Sequence, residues 1–175
     1  MYYIIILILI AIDQAVKYVV RMNMQLGQTI PVVQDVFHIT YIQNTGAAFS
    51  IMQGQTAILI AIPSIITIAI IVYIYKFTKK SHFTLPLALA LVCGGGLGNL
   101  TDRIRFGAVV DFIDFRVFPI FNFADIFVCV GCGLLIIHMF VYDKPKTNIY
   151  NIDDADNSEG IDSTNGADNT KGAVS

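Results

Sequence analysis

Four stretches of this sequence are apolar for long enough to cross a bilayer, and no other feature constrains the fold as strongly. A transmembrane helix needs about 20 predominantly apolar residues. Residues 56–75 and 83–101 reach that length without a single charge. Residues 126–142 are also uncharged; at ~1.5 Å per residue they extend roughly 25 Å, enough for a thin hydrocarbon core. The fourth stretch is at the amino terminus. Residues 1–12 are wholly apolar, and residues 16–20 continue the run beyond Asp13, Gln14 and Lys17. This stretch has neither the basic start nor the small-residue cleavage site of a signal peptide, so it reads as a retained helix. Composition agrees. The chain is 55% hydrophobic and 14% charged, which excludes an ordinary soluble domain, where roughly a quarter of residues are charged.

The expected fold is therefore an all-α membrane protein of four transmembrane helices, residues 1–142, with a small periplasmic β-sheet in the first outer loop. Phe37, Ile39 and Tyr41 alternate with His38, Thr40 and Ile42, a period of two within residues 36–44. Residues 32–33 and 47–49 are candidate partner strands, and Asn44-Thr45-Gly46 is a turn signal. Prolines along residues 36–41 would test whether this strand pairs with an extended peptide. Lys76, Lys79, Lys80, Lys144 and Lys146 place the short second loop and both termini in the cytoplasm. Arg21, Arg103, Arg105 and Arg116 then lie on the outer side.

Residues 1–142 carry 6 acids and 8 Lys and Arg, whereas residues 143–175 carry 7 acids and 3 Lys. The second segment is rich in Asp, Asn, Gly, Ser and Thr, and is expected to be a disordered, dispensable cytoplasmic tail. No basic tract argues for nucleic acid. The three cysteines lie in apolar runs and read as small core residues rather than a disulfide framework or a redox pair.

Carboxylates are the unusual feature. Of the six acids in residues 1–142, only Asp35 lies clear of a span and of the segment joining the third and fourth spans. Ionisable groups at membrane depth mark function by default. Asp13 and Lys17 are four apart and share a helix face, either as an internal ion pair or as part of a helix packed on an active site. Asn99, Asp102 and Arg103 end the third span, where Asp102 can pair with Arg105. The preceding Gly94-Gly95-Gly96-Leu97-Gly98 run admits a close neighbour. Asp111, Asp114 and Asp125 are the candidates for chemistry, and Asp111 and Asp125 lie in apolar surroundings with no adjacent cation. Two carboxylates brought together share one proton, so one can activate water while the other protonates a leaving amine. The alternatives are a helix N-cap for Asp125 and pairing with an arginine for Asp111. His38, His82 and His138 are scattered, so no zinc cluster is visible, and no metal or cofactor is expected.

Five blocks carry a resemblance: Asp13-Gln14-Ala15-Val16-Lys17, Asn44-Thr45-Gly46-Ala47-Ala48-Phe49, Gly98-Asn99-Leu100-Thr101-Asp102-Arg103, Val109-Val110-Asp111-Phe112-Ile113 and Phe121-Asn122-Phe123-Ala124-Asp125. In this order, on four spans, they closely resemble the lipoprotein signal peptidases, or signal peptidases II. The resemblance implies an aspartic endopeptidase of the inner membrane. It would cut prolipoproteins on the amino side of a cysteine that already carries diacylglyceryl. It maps Asp111 and Asp125 to the catalytic pair and Asp114 to a neighbouring, non-catalytic place. Asn44, Asn99, Arg103 and Asn122 map around the site, with Asp13 and Asp102 in supporting roles. Partners are then the lipid-modified substrate and membrane lipid, and the protein is expected to be a monomer. Two other readings use the same carboxylates: a proton-coupled membrane carrier, and a structural membrane subunit with the aspartates as caps and ion pairs.

Overall fold

A computed structural model of the protein describes residues 1–46, 54–78 and 81–142. The expectations for residues 47–49 and for the acidic tail lie outside these residues. Four long helices carry the fold: α1 (Tyr2–Asn23), α2 (Thr56–Phe77), α3 (Thr84–Phe106) and α4 (Phe123–Val141). All four are long and apolar enough to cross a membrane. Their large side chains point outward, Ile62, Ile65 and Ile68 of α2 among them, as a bilayer rather than water requires.

Helix α3 is the hub, packed against α1, α2 and α4. The glycine run makes this possible. A Cβ on Gly94 would come within 2.9 Å of the Leu9 side chain, and one on Gly98 within 2.6 Å of Asp13 Oδ2. A Cβ on Gly95 would collide with the Ala124 carbonyl oxygen and the Val128 side chain. The close neighbours that the sequence pattern calls for are thus α1 and α4. Around them Ile6, Ile70, Ile74, Ala90 and Cys93 form one apolar cluster.

Both helices that border the site extend past the apolar runs. α3 continues through Asp102 to Phe106 and ends at Gly107, whose left-handed φ of 73° suits a residue without a side chain. α4 begins at Phe123, three residues before the uncharged run, because Asn122 and Asp125 form a capping box there.

A three-stranded antiparallel sheet covers this end of the bundle, in the order β1 (Thr29–Val33), β2 (Phe37–Asn44), β3 (Val109–Asp114). The first two strands come from the first loop, as expected. Asp35 has φ 59° in the turn between them, a conformation that Asp tolerates. The third strand comes from the α3–α4 connection, which shows no period of two because every residue of β3 is buried. On β2 the alternation breaks at a bulge. Ile39 faces Ile113 and Ile42 faces Asp111, so Thr40 and Tyr41 both oppose Phe112. Both are buried. Over residues 38–41 β2 is flanked by β1 on one edge and β3 on the other, so this stretch has no open edge for the peptide pairing that the sequence pattern suggests. The outer edge belongs to β1, where Pro31 lacks a donor.

The cysteines correct a second expectation. Cys93 is buried, but Cys129 and Cys132 are exposed on α4. An apolar residue in a membrane helix gains nothing by turning inward.

Candidate active site

Asp111 is placed by β3 and Asp125 by the first turn of α4. Asn122, the N-cap of α4, joins them. Its Nδ2 donates to Asp111 Oδ1 (2.7 Å), and its backbone N–H donates to Asp125 Oδ2 (3.1 Å). Asn122 Oδ1 accepts the Asp125 N–H (3.1 Å), which completes the capping box. The helix-end and site readings of Asp125 therefore coexist on different atoms. Oδ2 serves the cap, while Oδ1 accepts from Asn99 Nδ2 (2.8 Å).

Asn44 is two residues along the sheet from Asp111 on the same face. It donates to Asp111 Oδ2 at 3.1 Å. Asp111 therefore has amide partners and not the arginine that its sequence context leaves open. Arg103 donates from Nη2 to the Gly46 carbonyl (3.0 Å). Its charge acts on Asp125, Asp111 and Asp102, and its Nε has no partner. Asn44, Asn99, Arg103, Asp111 and Asp125 all line one cavity of about 750 Å³. The opposite wall is apolar, with Ile58, Leu59, Ile62 and Pro63 from α2 and Val128 and Cys129 from α4. Those wall residues carry no signal in the sequence beyond their hydrophobicity.

Asp13 and Asp102 lie behind this cavity, together with Lys17. Lys17 Nζ contacts Asp13 Oδ2 (2.9 Å) and Asp102 Oδ2 (3.0 Å), all three side chains being almost wholly buried. The partner of Asp102 is Lys17 rather than Arg105. The carboxylates also tie down neighbours: Asp13 Oδ1 accepts the Ala124 N–H (3.0 Å), and Asp102 Oδ2, besides Lys17, accepts the Val110 N–H (3.2 Å). Gln14 donates to Asp102 Oδ1 (3.0 Å) and to the Gly98 carbonyl (3.1 Å). One ionic node thus anchors α1, α3, α4 and β3 around the carboxylates.

The acids differ in electrostatics. Burial, and then the charge of Asp125, push Asp111 up to about 6 against the amide bonds of Asn44 and Asn122. Burial also pushes on Asp114, but bonds from the Thr40 hydroxyl (2.7 Å) and the Arg116 N–H (2.8 Å) outweigh it and hold that carboxyl below the ordinary range. Asp114 lies apart from the cavity lining.

The folded protein binds the Asp111 proton more tightly than the unfolded chain does. The associated stability is present below about pH 4 and is lost as pH rises through about 6, by about 3 kcal/mol. Asp111→Asn cannot ionise. It is expected to be more stable than wild type at pH 8, with the difference closing toward pH 4. Thermal unfolding of both proteins at the two pH values measures this.

Comparison with known proteins identifies the family. The family described as Signal peptidase (SPase) II matches residues 5–141. The chain is similar to the lipoprotein signal peptidase of Halothermothrix orenii, 45% identical over 144 residues that cover 82% of this chain and 98% of that protein. The lipoprotein signal peptidase of Bacillus subtilis is 44% identical over 150 residues, covering 83% of this chain and 97% of that one. Among solved structures, a bacterial membrane enzyme determined by the in meso method at 2.3 Å resolution aligns with a TM-score of 0.75 at 33% identity, over 84% of this chain and 92% of its own. Matched along most of its length in sequence and in fold, this multi-pass membrane chain belongs to the signal peptidase II family of proteases.

Proposed function

We propose that the protein is an aspartic endopeptidase of the bacterial inner membrane. It removes signal peptides from prolipoproteins, cutting on the amino side of a cysteine that carries diacylglyceryl. One observation carries this reading. Two carboxylates, the buried Asp111 and the half-buried Asp125, line a single cavity whose other wall is apolar.

The pair shares one proton and reacts as a unit. The ionised carboxylate takes a proton from water as the water oxygen attacks the scissile carbonyl carbon. The protonated carboxyl gives its proton to the leaving nitrogen, and the C–N bond breaks. The products are the signal-peptide carboxylate and the protonated amino group of the lipid-modified cysteine, which carries the second proton of the water, with one proton still on the pair. No acyl-enzyme forms. Asn44, Asn99 and Asn122 hold the carboxylates by their amide donors, Arg103 adds a positive charge beside them, and Asp13 and Asp102 support the elements behind.

Both termini lie in the cytoplasm and the carboxylates face outward, close to the interface. Water reaches the scissile bond there while the acyl chains stay in lipid. The protein acts as a monomer, and residues 143–175 are dispensable.

The test is cleavage by purified protein in lipid of one prolipoprotein, offered with and without diacylglyceryl on its cysteine. The modified form is expected to be cut and the unmodified form left intact. Equal cleavage of both would remove the lipid specificity, and cleavage of neither by folded protein would remove the reading.

A further inference from the structure

We propose that Lys17 is a positioning residue of the peptidase site, which fixes the side-chain amide of Asn99 with its NH2 group turned to Asp125. This rests on the reading of Asp111 and Asp125 as the reacting pair. Lys17 is on α1, a helix that contributes no residue to the cavity lining, and it touches neither reacting carboxylate.

An ammonium has three N–H donors and no acceptor. Those of Lys17 have three partners: Asp13 Oδ2 (2.9 Å), Asp102 Oδ2 (3.0 Å) and Asn99 Oδ1 (2.9 Å). The two carboxylates come from α1 and α3 and pin the nitrogen between them, which leaves the third N–H aimed at Asn99. Asn99 Oδ1 also accepts from Asn122 Nδ2 (3.0 Å), so both of its donors lie on one side. Its own Nδ2 is left facing Asp125 Oδ1 at 2.8 Å. Turned over, the Asn99 NH2 would meet an ammonium and an amide donor, and its oxygen would meet a carboxylate. In a buried setting each such mismatch is unfavourable. One carboxylate would suffice to neutralise the lysine. The second makes its position rigid, and that rigidity is transmitted through Asn99 to the carboxylate on α4.

A charge-balanced pair of substitutions separates positioning from ion pairing. Lys17→Met with Asp102→Asn removes one charge of each sign and the donor to Asn99. Its kcat is expected to fall about 10–100-fold, as misplacement of a reacting group does, with KM close to wild type. The thermal transition is lowered because Asp13 stays buried without its cation, and turnover is compared below it. In an Asn99→Ala background the same pair is expected to change kcat by less than about twofold, because the route through Asn99 is already gone. Lys17→Gln with Asp102→Asn keeps an N–H that can reach Asn99, and is expected to retain more kcat than the methionine pair.

Equal losses in both backgrounds would overturn the proposal, as would unchanged kcat in the first. Failure of both charge-balanced pairs to fold would do so too, since Lys17 would then hold the fold rather than the amide. Wild type that cuts nothing, or Asp111→Asn that cuts normally, would count against the reacting pair instead. Both are read in the same assay.

Discussion

Asp111→Asn and Asp125→Asn are each expected to lower kcat on the order of 10²–10⁴-fold, the contribution expected of a positioned acid or base. Asparagine keeps the shape and an acceptor oxygen, so both variants should remain folded. Asp125→Asn loses part of the capping box, which is worth about 1 kcal/mol. The double variant should be no slower than either single one, since groups that act as a unit do not add. Asp114→Asn is the control. Its carboxyl is engaged by Thr40 and Arg116, away from the cavity, and its kcat should stay within a few-fold of wild type. Turnover of a lipid-modified substrate, with thermal unfolding of each sample, measures all four. Full activity in either single variant would remove the pair.

Gly95→Val is the second large effect expected. A Cβ there meets the carbonyl oxygen of Ala124, a backbone atom at the start of α4 that cannot swing aside. Overpacking of this kind costs about 1–3 kcal/mol, and more where backbone must move. The position matters for activity too. Asn99 is one turn further along α3 and bonds Asp125 on α4, so forcing the helices apart draws that donor from its carboxylate. Both the thermal transition and kcat should fall. Gly96→Ala behaves oppositely. Its Cβ would meet only Thr67 Oγ1, at an ordinary 3.7 Å, and loss of backbone freedom in the unfolded chain should raise stability by about 0.4–1 kcal/mol. A wild-type transition in Gly95→Val would show that the helices do not pack as described.

What was legible in the sequence follows from what each signal depends on. The spans are local, a matter of uninterrupted apolar length, and all four stand close to where the runs place them. Asp13 and Lys17 announce their contact by spacing alone. The polar residues Asn44, Asn99, Arg103, Asp111 and Asp125 of these blocks line one cavity, and Asp13, Lys17 and Asp102 form an ion cluster behind it. The third strand was not legible. Burial on both faces erases alternation in Val109–Asp114, and the bulge that buries both Thr40 and Tyr41 depends on a partner strand distant in sequence. The exposed Cys129 and Cys132 mislead because an apolar run in a membrane helix does not say which side faces protein. The third contact of Lys17, to Asn99, needs α1 and α3 side by side, which only the packed glycines reveal.

The shared proton is the centre of the account, and the dependence of kcat/KM on pH tests it most directly. Burial and the charge of Asp125 push Asp111 up to about 6, so above that pH the free enzyme loses the proton the leaving nitrogen needs. For a lipid-modified substrate kcat/KM is predicted to fall about tenfold per unit as pH rises past about 6, with the kcat limb displaced upward where bound substrate excludes water. A kcat/KM that stays level from roughly pH 5 to pH 9 would contradict a dyad working on one shared proton.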